Sequence, residues 1–177
     1  LSALDVAQLG PEWHPVMQRV IVPMVGARSR YWIARKLPGA GTDMNPKAPK
    51  YLFPDGVSRT EGALYYGSPD CRTWVLTEDF LSAYRIRRDT GYNAAAVQGT
   101  SMGPELLSFL LSHAERVILW LDTDKYGQLG QARIQSQLTQ RGMPVGCVKL
   151  PATVPDPKKL EPEFIRSTLS AIHCEEP

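Results

Sequence analysis

The sequence predicts an α/β protein, a small parallel sheet with flanking helices in the manner of a small Rossmann-like domain, preceded by a smaller mixed α+β subdomain. Three observations predict it. Downstream of Pro69, apolar runs of strand length alternate with amphipathic stretches of helix length in the order βαβαβαβ, which right-handed crossovers turn into a helix-covered parallel sheet. One of those runs, Arg116-Val-Ile-Leu-Trp-Leu121, is continuously apolar, as a strand buried on both faces must be. Upstream of Pro69 the chain is rich in Pro, Gly and basic residues, and its β-prone runs are separated by turn signals. The predicted division is therefore a basic N-terminal subdomain over 1–69 and an α/β domain with a C-terminal helix over 70–177.

In chain order, Gln18–Val25 and Tyr31–Leu37 flank Gly26-Ala-Arg-Ser29 and read as an antiparallel hairpin. Pro23 marks an edge position or a bulge within it, because proline cannot donate to a ladder. Residues 38–50 carry three prolines around Gly39 and Gly41 and read as a loop, after which Tyr51-Leu-Phe53 resumes extended structure. Trp74–Thr77 is a short buried strand. A helix follows from Phe80 to about Arg88, with Phe80, Leu81, Tyr84 and Ile86 inward and Gly91 closing it. Ala94–Val97 is the next strand, and Gln98-Gly-Thr-Ser101 is a turn. Pro104 suits the first turn of a helix that runs to Ser112 and turns Leu106, Leu107, Leu110 and Leu111 to the core. After the apolar strand, a helix from about Gly127 to Gln140 ends at Gly142, and Val145–Leu150 supplies a further strand.

Composition narrows the class. At 177 residues, 43% hydrophobic and 21% charged, the chain has the core of a compact globular domain, which excludes a large multidomain enzyme, a fibrous chain and a disordered one. A formal charge of +2 does not by itself argue for nucleic acid, so charge placement must decide that question. Three scattered cysteines without a Cys-x-x-Cys pair exclude a disulfide framework and a zinc ribbon and suggest a reducing, cytoplasmic compartment. No apolar run approaches the roughly 20 residues of a membrane helix, and no membrane partner is expected.

Carboxylates at strand ends are the distinctive feature. Glu78 follows the first strand of the α/β region, Asp122-Thr-Asp124 follows the apolar strand, and Asp156 follows the last strand after a Pro-rich turn. In open α/β sheets the site forms outside the carboxyl ends of the strands, so acids from three strands converge on one edge. Hard oxygen donors in that pattern suit Mg²⁺ or Mn²⁺ and point to phosphoryl chemistry. The plainer reading makes Asp122 a helix N-cap and Asp124 a surface charge. Of the four tryptophans, Trp13, Trp74 and Trp120 read as packing residues, while Trp32, beside basic residues, remains a candidate for base stacking.

Taken together, Trp74-Val-Leu-Thr-Glu78, Ala94-Ala-Ala-Val-Gln-Gly-Thr100, Val117-Ile-Leu-Trp-Leu-Asp-Thr-Asp-Lys-Tyr-Gly127 and Asp156-Pro-Lys-Lys-Leu160 resemble a TOPRIM domain in order and spacing. Upstream, Arg19–Pro23, Tyr31–Leu37, Pro49-Lys-Tyr-Leu52 and Ala63-Leu-Tyr65 resemble the N-terminal subdomain of the bacterial-type DNA primase catalytic core. The resemblance implies template-directed synthesis of RNA primers on single-stranded DNA from ribonucleoside triphosphates, with Mg²⁺ or Mn²⁺. It implies a catalytic and metal-binding role for Glu78, Asp122 and Asp124, metal binding by Asp156, nucleotide binding by Lys50 and Tyr51, and nucleic-acid contacts from Arg19, Arg35 and Lys50. It further implies a replicative helicase as partner through regions outside the chain, and a phage or plasmid replication protein, or a piece of one, fits it. Three positions depart from the family pattern: Asp79 stands for the usual glycine, Ser82 for an aspartate, and Lys158 for the second acid of Asp-Pro-Asp. With two carboxylates gone, metal loading is expected to weaken. Two alternatives stand beside the primase reading, a TOPRIM nuclease using the same acids and a nucleic-acid-binding replication subunit with weakened catalysis.

Overall fold

The computed structural model describes residues 12–14, 19–26, 31–36, 49–56, 62–68, 70–151, 153–154 and 156–173. The chain forms two compact units, 1–62 and 63–177.

In the first unit the described residues form strands β1 (Glu12–His14), β2 (Arg19–Gly26), β3 (Tyr31–Lys36) and β4 (Tyr51–Leu52). Each pairs antiparallel with the next, giving a meander in which Val22 lies opposite Ile33 and Arg35 opposite Tyr51. The hairpin read from the sequence is β2–β3; its turn, 27–30, and most of the loop before β4 lie outside the described residues. Pro23 sits opposite Trp32, beyond the three residues of β2 that pair with β1. Val22 and Ile33 are buried on one face of the meander, and Ala34 is buried on the other.

The second unit contains β5 (Gly62–Tyr66), β6 (Thr73–Thr77), α1 (Phe80–Thr90), β7 (Asn93–Ala96), α2 (Pro104–His113), β8 (Arg116–Trp120), α3 (Lys125–Thr139), β9 (Val145–Cys147) and α4 (Pro162–His173), with a single 3₁₀ turn at Pro157–Lys159. Its strands run in the order β5-β7-β6-β8-β9, with β5 antiparallel to β7 and the other four parallel. This is the predicted α/β fold, and β8 is interior, paired on both sides. Alternate side chains serve opposite faces. Trp74, Leu76, Val117, Leu119 and Leu121 pack with Leu106 and Leu110 of α2 and Ile134 and Leu138 of α3 in one core. On the other face α1 brings Phe80, Ala83, Tyr84 and Ile86, and α4 brings Ile165 and Leu169.

Helix boundaries follow local chemistry. Asp79 caps α1, accepting from the Leu81 N–H at 3.0 Å and the Ser82 N–H at 3.3 Å. At its other end Gly91 adopts φ +79° and returns its N–H to Arg87, as a left-handed C-terminal glycine does. α3 starts two residues before its expected position because Asp124, not Asp122, supplies the cap, accepting from the Gly127 N–H at 2.8 Å. Two core assignments need correction: Leu111 is 42% exposed and Leu81 only half-buried, because each lies beside the apolar stripe of its helix rather than on it. β9 is also shorter than expected, since after Cys147 only the Val148 N–H reaches across, to the Leu119 carbonyl at 2.9 Å, before Pro151 ends the run.

Candidate active site at the acidic edge of the sheet

β6 and β8 are parallel neighbours, so their carboxyl ends open on one edge of the sheet. Glu78 leaves β6 there, Asp122 and Asp124 leave β8, and Asp156 arrives on the 3₁₀ turn. The four acids singled out in the sequence lie near enough on this edge for Glu78 to feel the charges of Asp122 and Asp124, and for Asp122 to feel those of Asp156 and Asp124. Burial first, and then the charges of Asp122, Asp124 and Asp79, together push the Glu78 carboxyl up to about 7 against the opposing pull of Lys158. Asp122 is raised to about 6, first by burial and then by Asp156. Asp156 moves the other way: burial works against its charge, but the Lys158 ammonium and a hydrogen bond from Asp122 hold it below the usual carboxylate range.

Lys158 is the counterweight. Its Nζ lies 2.5 Å from Asp79 Oδ2 and 2.6 Å from Asp156 Oδ2, and its side chain is 17% exposed. Burial opposes its charge, yet Asp79 and Asp156 hold the ammonium above its ordinary pKa. Asp79 has no acceptor capacity left for anything else: Oδ1 takes the two N–H groups of the α1 cap, and Oδ2 takes the Ser82 hydroxyl at 3.1 Å together with Lys158. Asp79 therefore does not replace the carboxylate missing at Ser82.

Two glycines on α3 set the close approach of this edge. A Cβ on Gly127 would lie 2.0 Å from the Asp122 carbonyl oxygen, and one on Gly130 would lie 2.7 Å from Thr100 Cβ. The loop after β7 is tied in as well, with the Gly99 N–H donating to the Glu78 carbonyl at 3.2 Å. Gln98 adopts φ +58°, a left-handed backbone that glutamine rarely takes, and its side-chain Nε2 is buried without a hydrogen-bond partner. Neither feature is legible in the sequence beyond the Gln-Gly pair itself.

The donor set consists of carboxylate oxygens with two acids held near neutrality, which fits a hard divalent cation. Among the described residues no three metal-binding side chains are already close enough to grip an ion. Such an edge suits Mg²⁺ or Mn²⁺ held by a few carboxylates, waters and a ligand's phosphate oxygens, rather than a closed protein cage.

The basic residues singled out in the first unit form a cluster of their own. Arg35 Nη1 donates to the Tyr51 hydroxyl at 2.6 Å, and the Arg35 guanidinium and Lys50 Nζ lie 5.3 and 5.4 Å from the Tyr51 ring centroid. Lys50 is exposed. Arg19 departs from the expected exposed phosphate contact: it is 3% exposed and donates to the Pro49 carbonyl at 2.7 Å and the Lys50 carbonyl at 3.2 Å. Its place is beneath the Lys50-Tyr51 pair, holding that segment in position.

Known proteins share this fold. Residues 77–160, within the second unit, match the family model described as Toprim-like. Over most of its length the chain has the fold of the DnaG-type primase catalytic core. It matches the Aquifex aeolicus primase (zinc-binding and RNA polymerase domains) with a TM-score of 0.67 at 23% identity, over 87% of this chain and 39% of that one. It matches the DnaG catalytic core with a TM-score of 0.69 at 18% identity, over 97% and 69%, and a DnaG primase catalytic domain bound to single-stranded DNA with a TM-score of 0.63 at 22% identity, over 86% and 51%. The chain thus spans only 39% and 51% of two of these three proteins. No curated protein sequence matches it.

Proposed function

We propose that this chain is the catalytic core of a DNA primase, joining ribonucleotides on a single-stranded DNA template. The placement of Glu78, Asp122, Asp124 and Asp156 at the carboxyl-end edge of the parallel strands carries the reading. The fold match over 86% of the chain, first unit included, favours primase over other proteins with a Toprim-like domain. A divalent ion on Asp122 and Asp124, at the edge they share with Glu78 and Asp156, would supply positive charge where negative charge builds on the reacting phosphate. Glu78, raised to about 7, is poised at neutral pH to accept the proton of a primer 3′-hydroxyl as that oxygen bonds to the α-phosphorus of a ribonucleoside triphosphate and pyrophosphate departs. In the first unit, Lys50 and Tyr51 offer a cation and an aromatic face to the triphosphate nucleotide, Arg35 orients Tyr51 and contacts template phosphate, and Arg19 fixes the segment. The reading places the protein at a replication fork in the cytoplasm, with a replicative helicase as partner. Among the described residues no helix is long and apolar enough to cross a membrane.

The test is ribonucleotide incorporation on single-stranded DNA in Mg²⁺ and in Mn²⁺, with Asp122→Asn/Asp124→Asn as control. Template-dependent products that fall by at least about 100-fold in the double variant support the reading. Metal-dependent strand cutting without synthesis would replace it with a nuclease, and tight single-stranded DNA binding with neither activity would replace it with a binding subunit.

A further inference from the structure

Lys158 is a cation already held at the acidic edge. Its ammonium bridges Asp79 and Asp156, two carboxylates 77 positions apart in the chain, at 2.5 and 2.6 Å. All three side chains are largely sequestered, at 17%, 12% and 24% exposure, so the contact is a built one and not a surface pairing. Asp79 has no oxygen to spare, and Asp156 divides itself between Lys158 and Asp122. Glu78, Asp122 and Asp124 make no contact with the ammonium at salt-bridge distance. The edge therefore has two halves: an Asp79–Lys158–Asp156 half in which the protein's own cation offsets one of two negative charges, and a Glu78/Asp122/Asp124 half without such a contact.

Enzymes of phosphoryl transfer commonly neutralise the reacting phosphate with two metal ions about 4 Å apart. We propose that the Lys158 ammonium is a fixed cation that takes the place of one such ion, so that this edge loads a single divalent ion on its Glu78/Asp122/Asp124 half. The inference rests on the metal-dependent reading above and gives its stoichiometry. A lysine in that role needs no loading from solution, but it cannot be exchanged for another metal. Lys158 also joins the 3₁₀ turn to the start of α1, so a purely structural latch is the competing explanation.

The experiment counts bound ions. The intact protein is titrated with Mn²⁺, and free Mn²⁺ is followed by electron paramagnetic resonance, for the parent and for Lys158→Asp, Lys158→Met and Lys158→Arg. Circular dichroism melts establish that each variant is folded. The parent is expected to bind one Mn²⁺, lost in Asp122→Asn/Asp124→Asn. Lys158→Asp gains a second equivalent, Lys158→Met binds its ion about tenfold more tightly because a neighbouring positive charge has gone, and Lys158→Arg behaves as the parent. If Lys158→Asp and Lys158→Met keep one equivalent at parental affinity while melting lower, Lys158 is a latch and the inference fails alone. Two equivalents in the parent also overturn it while leaving the metal reading intact. If the parent binds no Mn²⁺, or if its binding survives Asp122→Asn/Asp124→Asn, both the inference and the metal reading fall.

Discussion

The two ends of the parallel strands in the second unit are built on opposite plans. At the amino end, where β6 and β7 begin, Tyr65 stacks on Phe109 at 4.2 Å, Phe109 on His113 at 4.4 Å, and Trp74 meets Phe109 edge-on at 5.0 Å. Asn93 closes that end by donating to the Ser68 and Cys71 carbonyls while accepting the Ser68 N–H. Ring area and matched hydrogen bonds dominate there, and both stabilise the fold. At the carboxyl end, Glu78 and Asp122 are held with carboxyls that resist ionisation, so the native state carries an electrostatic cost that a looser chain would avoid. The difference teaches where each end's value lies. The aromatic end is favourable without a ligand, whereas the acidic end becomes favourable when a cation and a phosphate arrive.

That contrast makes different variants fail in different ways. The largest effect on stability is expected at the aromatic end: Trp74→Ala removes a side chain only 4% exposed and should cost about 4 kcal/mol, read as a lower urea midpoint. Mn²⁺ affinity of the remaining folded protein should be unchanged. A loss of Mn²⁺ affinity with little loss of stability would break the division between the two ends. A smaller but double effect is expected where α3 packs beneath the acids. Gly127→Ala adds a methyl 2.0 Å from the Asp122 carbonyl oxygen, and since backbone must yield, the gain in helix propensity does not compensate. A net loss of about 2 kcal/mol is expected, with Mn²⁺ affinity falling because Asp122 moves with its carbonyl. Destabilisation without a change in Mn²⁺ affinity would show that Asp122 is not held by that contact.

How much of this was legible in the sequence depends on the range of the interaction. The unbroken apolar run from Arg116 to Leu121 announces an interior strand, and the acids after it follow from topology, because parallel strands deliver their carboxyl ends to one edge. Pairings between distant residues were not legible. Nothing local marks Asp79 and Lys158 as partners; the two residues read as departures from a pattern until the fold joins them. The same holds for Arg19, whose place in a basic hairpin suggests an exposed charge although it is buried against the Pro49 and Lys50 carbonyls, 30 and 31 positions away. Leu111 fails for a different reason. Four leucines on a ten-residue helix are wider than the stripe that a sheet covers, and periodicity alone does not tell which edge of the stripe is left out.

The smallest expected effect sharpens the comparison through pH. For Glu78 and Asp122 the folded-state pKa values, about 7 and about 6, lie above the ordinary 4.5 and 3.8. The folded protein therefore holds protons more tightly than the unfolded chain, and stability rises as pH falls from 8 to 5. Asp89 and Asp156 are shifted downward, so the stability they contribute is lost only as pH falls below the ordinary carboxylate range, outside this window. Because Glu78 and Asp122 are only partly buried, solvent screening reduces the combined gain to on the order of 1 kcal/mol. For a chain of this size that is a melting temperature about 2–4 °C higher at pH 5 than at pH 8 without divalent metal. Glu78→Gln, neutral throughout, should flatten most of the difference by raising the value at pH 8. Millimolar Mg²⁺ should also raise the value at pH 8, because an ion that binds only the folded state with both acids ionised adds stability by mass action. Trp74→Ala, acting at the other end of the strands, should lower the whole profile without changing its slope. If the parent profile is flat between pH 5 and 8, or slopes the other way, the acidic end is already balanced in the absence of a ligand and the contrast between the two ends disappears.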